Sequence, residues 1–306
     1  MKHKFLFLFF LYFSITVHAQ TVRLIVPFAA GGVADRSARA FEKTLAHRLP
    51  YNFNVEYQTG AGGIIAANNV AKNNTKETVL LIHSASIVTN TFDTNSTYDL
   101  LDNFVPVALL GSVPMVLVTN RQSGISNLKQ LKHTDLPMFY GTSGPGTASH
   151  VAGERLQKSI NKNLTPVPYR GESAAFNDIL TNNITMLFAS LSVLTGYANS
   201  TQIYMIAITG NQRNADLPTV PTFAEQGVRG FDRSPNWLVI LANPGADLAV
   251  VTKIKNALAD SFNNPKDQEV YRRAGIELNL QPITNVREFL LEEVEKIRLF
   301  QLKLKQ

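Results

Sequence analysis

From Val22 onward the chain alternates short apolar runs with longer stretches that are apolar on one side only. Residues 22–27 predict a strand, 37–49 a helix, 53–57 a strand, and 63–72 a second helix rich in Ala and Ile. The run TVLLIH at 78–83 is apolar throughout, the pattern of a strand covered on both faces. Strands at 105–111 and 114–119 follow, then a helical NLKQL. This alternation predicts an α/β architecture with largely parallel sheets, in which ligands sit at the carboxyl ends of strands.

A second cycle starts at Met138. MFYGT passes through SGPG into the helical TASHVAGERLQKSI, then TPVPY (strand), AAFNDILTN (helix), ITMLFAS (strand) and IYMIAIT (strand). Residues 214–231 are broken by Pro and Gly and predict a long connection, and NWLVILANPG a further buried strand. The tail predicts an amphipathic helix, with Val286, Phe289, Leu290, Val294, Ile297 and Phe300 at helical spacing and Thr284 as N-cap. Boundaries fall near 120–124 and 230–235. Residues 20–120 with 236–306 then form one domain, and 121–235 an inserted second.

The first twenty residues, MKHKFLFLFFLYFSITVHAQ, place Lys2 and Lys4 before an apolar run at 5–17 and a small-residue cleavage pattern ending at Ala19. That is the layout of a secretory signal peptide, and the run is shorter than the ~20 residues of a spanning helix. A cleaved, exported protein is expected. With no cysteine in the chain, a lipid-anchored lipoprotein and a disulfide scaffold are both excluded. Two domains fit the length better than one, since single cores stop growing near ~250–300 residues. The net charge of +6 comes from scattered residues without the clustered stripe that nucleic acid requires.

The candidate chemistry lies in glycine-rich turns. IVPFAAGGVADRSAR and FYGTSGPGTASHVAGERL share one grammar: strand, glycines, hydroxyl or acidic residues, then an Ala-rich helix. A helix's first turn carries N–H groups that no carbonyl within it can take, and with the helix dipole these form an anion site that needs no Lys or Arg. YQTGAGGIIAANN is a third such start. Each turn alone also reads as a tight corner, capped by Asp35 in the first and by Thr147 or Ser149 in the second; together they point to a shared cleft. Enzyme signatures fail. Ser143 lacks the final glycine of G-x-S-x-G, Thr147-Ala148 replaces the Lys-Ser/Thr of a P-loop, and Ile65 stands where a dinucleotide fingerprint needs glycine. The six histidines show no metal-ligand spacing, and no cofactor is expected. His150 reads equally as ligand contact or cap, Tyr169 as a rim aromatic whose hydroxyl faces a cleft or as core, and Trp237 as core.

The ordered motifs VPFAAGGVADRSAR, GAGGIIAANNVAK, YGTSGPGTASHVAGERL, VPYRGESAAFNDIL, IAITGNQRNADLPTVPTFAEQG and NWLVILANPG resemble those of the Bug (Bordetella uptake gene) proteins, the periplasmic receptors of tripartite tricarboxylate transporters. The resemblance covers essentially the whole mature chain. It implies a two-domain periplasmic binding protein of Venus-flytrap type II, with two inter-domain crossovers, that acts as a monomer, grips a small carboxylate and delivers it to membrane transporter subunits. The other readings are an orphan receptor that serves a sensor kinase and, third, an exported α/β hydrolase. Carried over by position, the ligand-binding residues are Phe28, Gly31, Gly32 and Asp35; Ser84 and Ala85; Thr142, Ser143, Gly146, Thr147 and Ser149; and Tyr169, Gly171 and Ala189. Where relatives usually read Met-Phe-Asp, this chain has Phe188-Ala189-Ser190, so a pocket-facing carboxylate is expected to be missing. Arg36 stands where an aliphatic residue is usual. Both departures predict a more purely anionic ligand than an amino acid.

Overall fold

The computed structural model describes residues 20–197, 199–278 and 285–304, with no side-chain description for 195 and 299–304. The leader, its cleavage point after Ala19, the Thr284 cap and the Phe300 side chain lie outside the described residues. The chain lays down β1 (Gln20–Val26), α1 (Val33–Leu45), β2 (Tyr51–Tyr57), α2 (Ile64–Ala71), β3 (Val79–Ser84), α3 (Ser86–Thr89) and β4 (Val105–Ser112). Next come β5 (Met115–Asn120), α4 (Leu128–His133), β6 (Phe139–Thr142), α5 (Ala148–Ile160), β7 (Thr165–Pro168), α6 (Glu172–Leu180), β8 (Met186–Ser190), α7 (Leu191–Leu194) and β9 (Ile203–Ile208). The last part is β10 (Trp237–Ala242), α8 (Leu248–Phe262), α9 (Pro265–Arg273), β11 (Glu277–Leu278) and α10 (Val286–Leu304).

Two sheets result, a six-stranded one in the order β11-β4-β10-β3-β1-β2 and a five-stranded one in the order β7-β6-β8-β5-β9. Helices cover both faces of each. Val22, Leu24 and Val26 pack under α1, α8 and α9, while the alternate residues Ile25 and Leu81 meet α2, α3 and α10. In the second sheet Met115 and Leu117 face α4 and α5, whereas Val116 and Val118 face α6 and α7. Two covered faces explain why β3, β5 and β8 are buried at every position and read as unbroken apolar runs.

The sheets are mixed where the alternation predicted largely parallel ones. β1 runs parallel to β2 and β3, but β10 is antiparallel to β3 and β4, and β5 is antiparallel to β8 and β9. Of the strands that break the pattern, β5 and β10 are entered from the opposite sheet rather than through a strand–helix–strand unit, and the two-residue β11, antiparallel to β4, is added at the edge. The first passage between sheets also differs from expectation. It lies at Val113-Pro114, not at 120–124, because β5 pairs in the second sheet; the polar Asn120–Gly124 stretch is a turn closed by the Asn120 side chain on Ser123 N at 2.8 Å. The chain returns through residues 209–236, and the two passages touch: Val113 N donates to Asn236 O at 2.9 Å. Trp237 packs edge-on against Phe289 of α10, ring centroids 5.0 Å apart. The sequence reading passed over α8 and α9, although Asp247 caps the first and Asn264, before Pro265, caps the second.

Asn243 fastens the returning strand. Its Oδ1 accepts from Val79 N at 2.9 Å, and its Nδ2 donates to Asn73 O at 3.0 Å and Thr75 O at 3.1 Å. The residue is fully buried, so Asn243→Ala strands one donor and leaves two carbonyls short of a partner. A loss of about 2–4 kcal/mol of stability is expected, read as a lower urea midpoint at unchanged m-value.

Candidate functional site

The first side of the cleft is the loop between β1 and α1. Gly31 turns the chain at φ +83°, a conformation that L side chains avoid. Gly32 can then sit extended as the cap of α1, with no side chain bonding the helix end. The helix therefore starts at Val33, four residues earlier than predicted, and Gly32, Val33 and Ala34 line the cleft. Asp35 does not. Its Oδ2 accepts from Gly31 N at 2.8 Å and its Oδ1 from the Tyr57 hydroxyl at 2.7 Å, so it shapes the loop from outside. The Gly31 amide is thereby also engaged.

The opposing side is the loop between β6 and α5, whose polar groups are mostly satisfied within it. Ser143 N donates to Ser149 Oγ at 3.0 Å, Thr147 Oγ1 to Gly144 O at 2.7 Å, and Gly144 N to Thr142 Oγ1 at 3.3 Å. His150 acts as a cap, its Nδ1 accepting from Gly146 N at 3.2 Å. What remains at the cleft is the start of α5, with Thr147, Ala148 and Ser149 lining it beside Ser143. Ser84 adds a hydroxyl at the end of β3, 2.9 Å from Ser86 Oγ. Phe28, Met115 and Phe188 supply the apolar surface of a cavity of about 30 Å³, room for a water or two. The lobes touch beside it.

A carboxylate does reach this cavity, contrary to expectation. Glu172, the first residue of α6, lines it and is 7 % exposed. Its Oε2 accepts from Ser190 Oγ at 2.7 Å, and its Oε1 takes the Ser190 N–H. Burial pushes its carboxyl above the ordinary carboxylate range, offset in part by the two Ser190 bonds and by the Arg36 guanidinium. Ala189 does not line the cavity. Side chains alternate along a strand, so Phe188 and Ser190 line the cavity while Ala189 packs among Val116, Val118 and Ala175 on the far face. Tyr169 turns its hydroxyl away, onto Asp178 Oδ2 at 2.7 Å, and Ala85, Thr142, Gly146 and Gly171 stand behind or beside the lining.

The remaining glycine-rich start, at 60–63, meets the second lobe outside the cavity. Gly62 has φ +62°, and a Cβ there would lie 2.7 Å from Pro145 O. With Phe28, Ser143, Gly144 and Tyr169 this loop lines an outer recess of about 210 Å³. Thr89 Oγ1 donates across the lobes to Gly146 O at 2.7 Å, and Ser173 Oγ to Ala30 O at 3.1 Å. Beneath the first loop lies His83, its ring 5.8 Å from that of Phe28. Among the described residues no cluster of His, Asp and Glu forms a metal site, and no helix is long and apolar enough to cross a membrane.

The match to known proteins follows the same frame. The family model for the tripartite tricarboxylate transporter family receptor (TctC) matches residues 37–302. The chain belongs to that family. It is 26% identical over 288 residues to protein BugT of Bordetella pertussis, covering 92% of this chain and 88% of BugT. The solved periplasmic binding protein BugD superposes with a TM-score of 0.84 at 27% identity, over 92% of this receptor and 97% of BugD. MatC of Rhodopseudomonas palustris, solved with bound malate, shares the fold at a TM-score of 0.80 and 22% identity, over 90% and 97% of the two chains.

Sequence reasoning missed Glu172, Ser190, Met115 and Asn236 as lining residues. The signal available was the acid directly after Gly171 at a helix start, where negative charge is favoured; nothing local says that it is buried. His83 supplies a test of the site's interior. Burial pushes its imidazole from 6.5 down to about 4, so the unfolded chain takes up a proton first as pH falls. Stability attributable to His83 is present above 6.5 and drains away toward 4, at about 1.4 kcal/mol per pH unit inside that window. Urea unfolding across the window should show this decline in the wild type and a flatter profile in His83→Gln.

Proposed function

We propose that this receptor, exported and cleaved after Ala19, binds a small carboxylate between α1 and α5. The closed form then carries it to the membrane subunits of a tripartite transporter. The observation that carries the reading is the convergence of two helix N-termini, one from each lobe, on a single cavity between them. Each end offers N–H donors that its own helix cannot use, and both dipoles favour a negative group between them. Malate in the related MatC agrees with this class of ligand. Gly32, Ser84, Ser143, Thr147 and Ser149, with Phe28 as apolar wall, are the proposed contacts. Ligand that touches both sides favours the closed arrangement and shifts the population toward it.

The receptor does no chemistry on its ligand. The cavity hydroxyls of Ser149 and Thr147 lie 3.2 Å apart, and His150 Nδ1 accepts from the Gly146 amide, so no serine–histidine pair is arranged beside them. The check is a thermal-shift and calorimetry series with mono-, di- and tricarboxylates. A binder at a hundredfold its Kd should add about 2.7 kcal/mol of stability and be recovered unchanged. Gly32→Val puts a branched side chain on a cavity-lining position whose backbone is in an ordinary extended region; it should fold and lose the shift. Turnover of the ligand, or undiminished binding by Gly32→Val, would overturn the reading.

A further inference from the structure

The cavity holds more than the donors of two helix ends. It also contains a buried acceptor, which a purely anionic ligand cannot use. This is the Glu172 carboxylate, whose two oxygens can together accept about four hydrogen bonds, of which Ser190 supplies two. Glu172 lines the same cavity as Met115 and Phe188, so there is room for only a water or two beside it.

A ligand with carboxylates alone suits the two helix ends but fails here. It sets like charge near Glu172 and leaves that carboxylate's remaining acceptor sites unpaired, and both effects are costly away from water. A hydroxyl or ammonium beside the carboxylate reverses both effects, because it donates toward Glu172 while the carboxylate faces the helix ends. We propose that Glu172 is a specificity residue that selects carboxylates bearing a hydrogen-bond donor over carboxylates bearing none. The proposal rests on the carboxylate reading of the cleft and reverses the sequence expectation of a purely anionic ligand, whose premise was a pocket without a carboxylate.

The test measures Kd by calorimetry for succinate, malate and aspartate, three C4 dicarboxylates that carry no donor, a hydroxyl and an ammonium. The mature wild type is compared with Glu172→Gln. A site built around a ligand donor rejects the analogue that lacks it, and the wild type should bind malate or aspartate at least about tenfold tighter than succinate. Glu172→Gln keeps the volume and adds an N–H, so the preference should shrink to within about threefold, mainly through tighter succinate binding. Preference for malate identifies the donor as a hydroxyl, and preference for aspartate identifies it as an ammonium. A wild type that binds succinate as well as either partner overturns the proposal while leaving the carboxylate reading intact, whatever the folding of the variant. An unchanged preference in a folded Glu172→Gln overturns the role of Glu172. If none of the three acids binds the wild type, this inference is overturned for C4 dicarboxylates; the carboxylate reading falls only if the mono-, di- and tricarboxylate series finds no binder either.

Discussion

A helix cannot satisfy the N–H groups of its own first turn, and the architecture around the cleft follows from where two helices place that deficit. α1 and α5 belong to different sheets, yet both begin at the same cavity. Each is preceded by a glycine-rich loop that arranges its own polar groups so that they do not cap the helix toward the cleft. In the first loop Asp35 draws in Gly31 N from the outside; in the second, Thr142, Thr147, Ser149 and His150 take backbone partners within the loop. The two sheets, with helices on both faces, hold these ends in place from behind. Asn243 ties the returning strand into the larger sheet, and the side-by-side passages at Val113 and Asn236 let one lobe stand over the other.

Against that pair of positive ends stands a single buried acid. Glu172 sits at the start of a third helix, α6, where the dipole favours its charge, yet desolvation is the larger effect and raises its carboxyl pKa. Ser190 matters for this reason. Two hydrogen bonds from one residue let a carboxylate remain in an apolar surround without a salt bridge; Arg36 acts only through its charge. The cavity thus contains both signs of hydrogen-bonding group within a space of about 30 Å³. Recognition there depends on the pattern of groups, and net charge alone does not describe it.

The strand and helix order was legible because it depends on periodicity, which is local. TVLLIH read as a buried strand, and ITMLFAS as a strand, since each lies under helices on both sides. The parallel sense of the sheets was overestimated because strand direction depends on which sheet a strand enters from, and nothing within LVILA records that. The site was legible where backbone makes it: glycine turns leading into helices announced both sides of the cleft, although Asp35 and Tyr169 proved to support the walls. It was illegible where it depends on register and on distant partners. Ala189 and Ser190 are adjacent in sequence and face opposite sides of a sheet. The role of Glu172 exists only because Ser190, eighteen residues on, presents an N–H and a hydroxyl to it. In the sequence, the same exchange looked like the loss of a carboxylate.

Around the cleft, the two lobes meet through the shortest groups a protein has. Gly62 lies against the Pro145 carbonyl, Gly171 against the Ala29 backbone, and two hydroxyls, of Thr89 and Ser173, reach carbonyls on the other side. Such groups have few rotamers to lose, whereas each immobilised long side chain at an interface costs about 0.5–1.5 kcal/mol. Apart from the Arg272–Asp216 ion pair at 2.6 Å and the Asn214–Glu277 hydrogen bond at 3.2 Å, closing freezes little that was free before. Little conformational entropy of the lobes' own surfaces is therefore tied up in these junctions. Contacts made to a ligand inside the cavity then weigh the more heavily in holding the two lobes together.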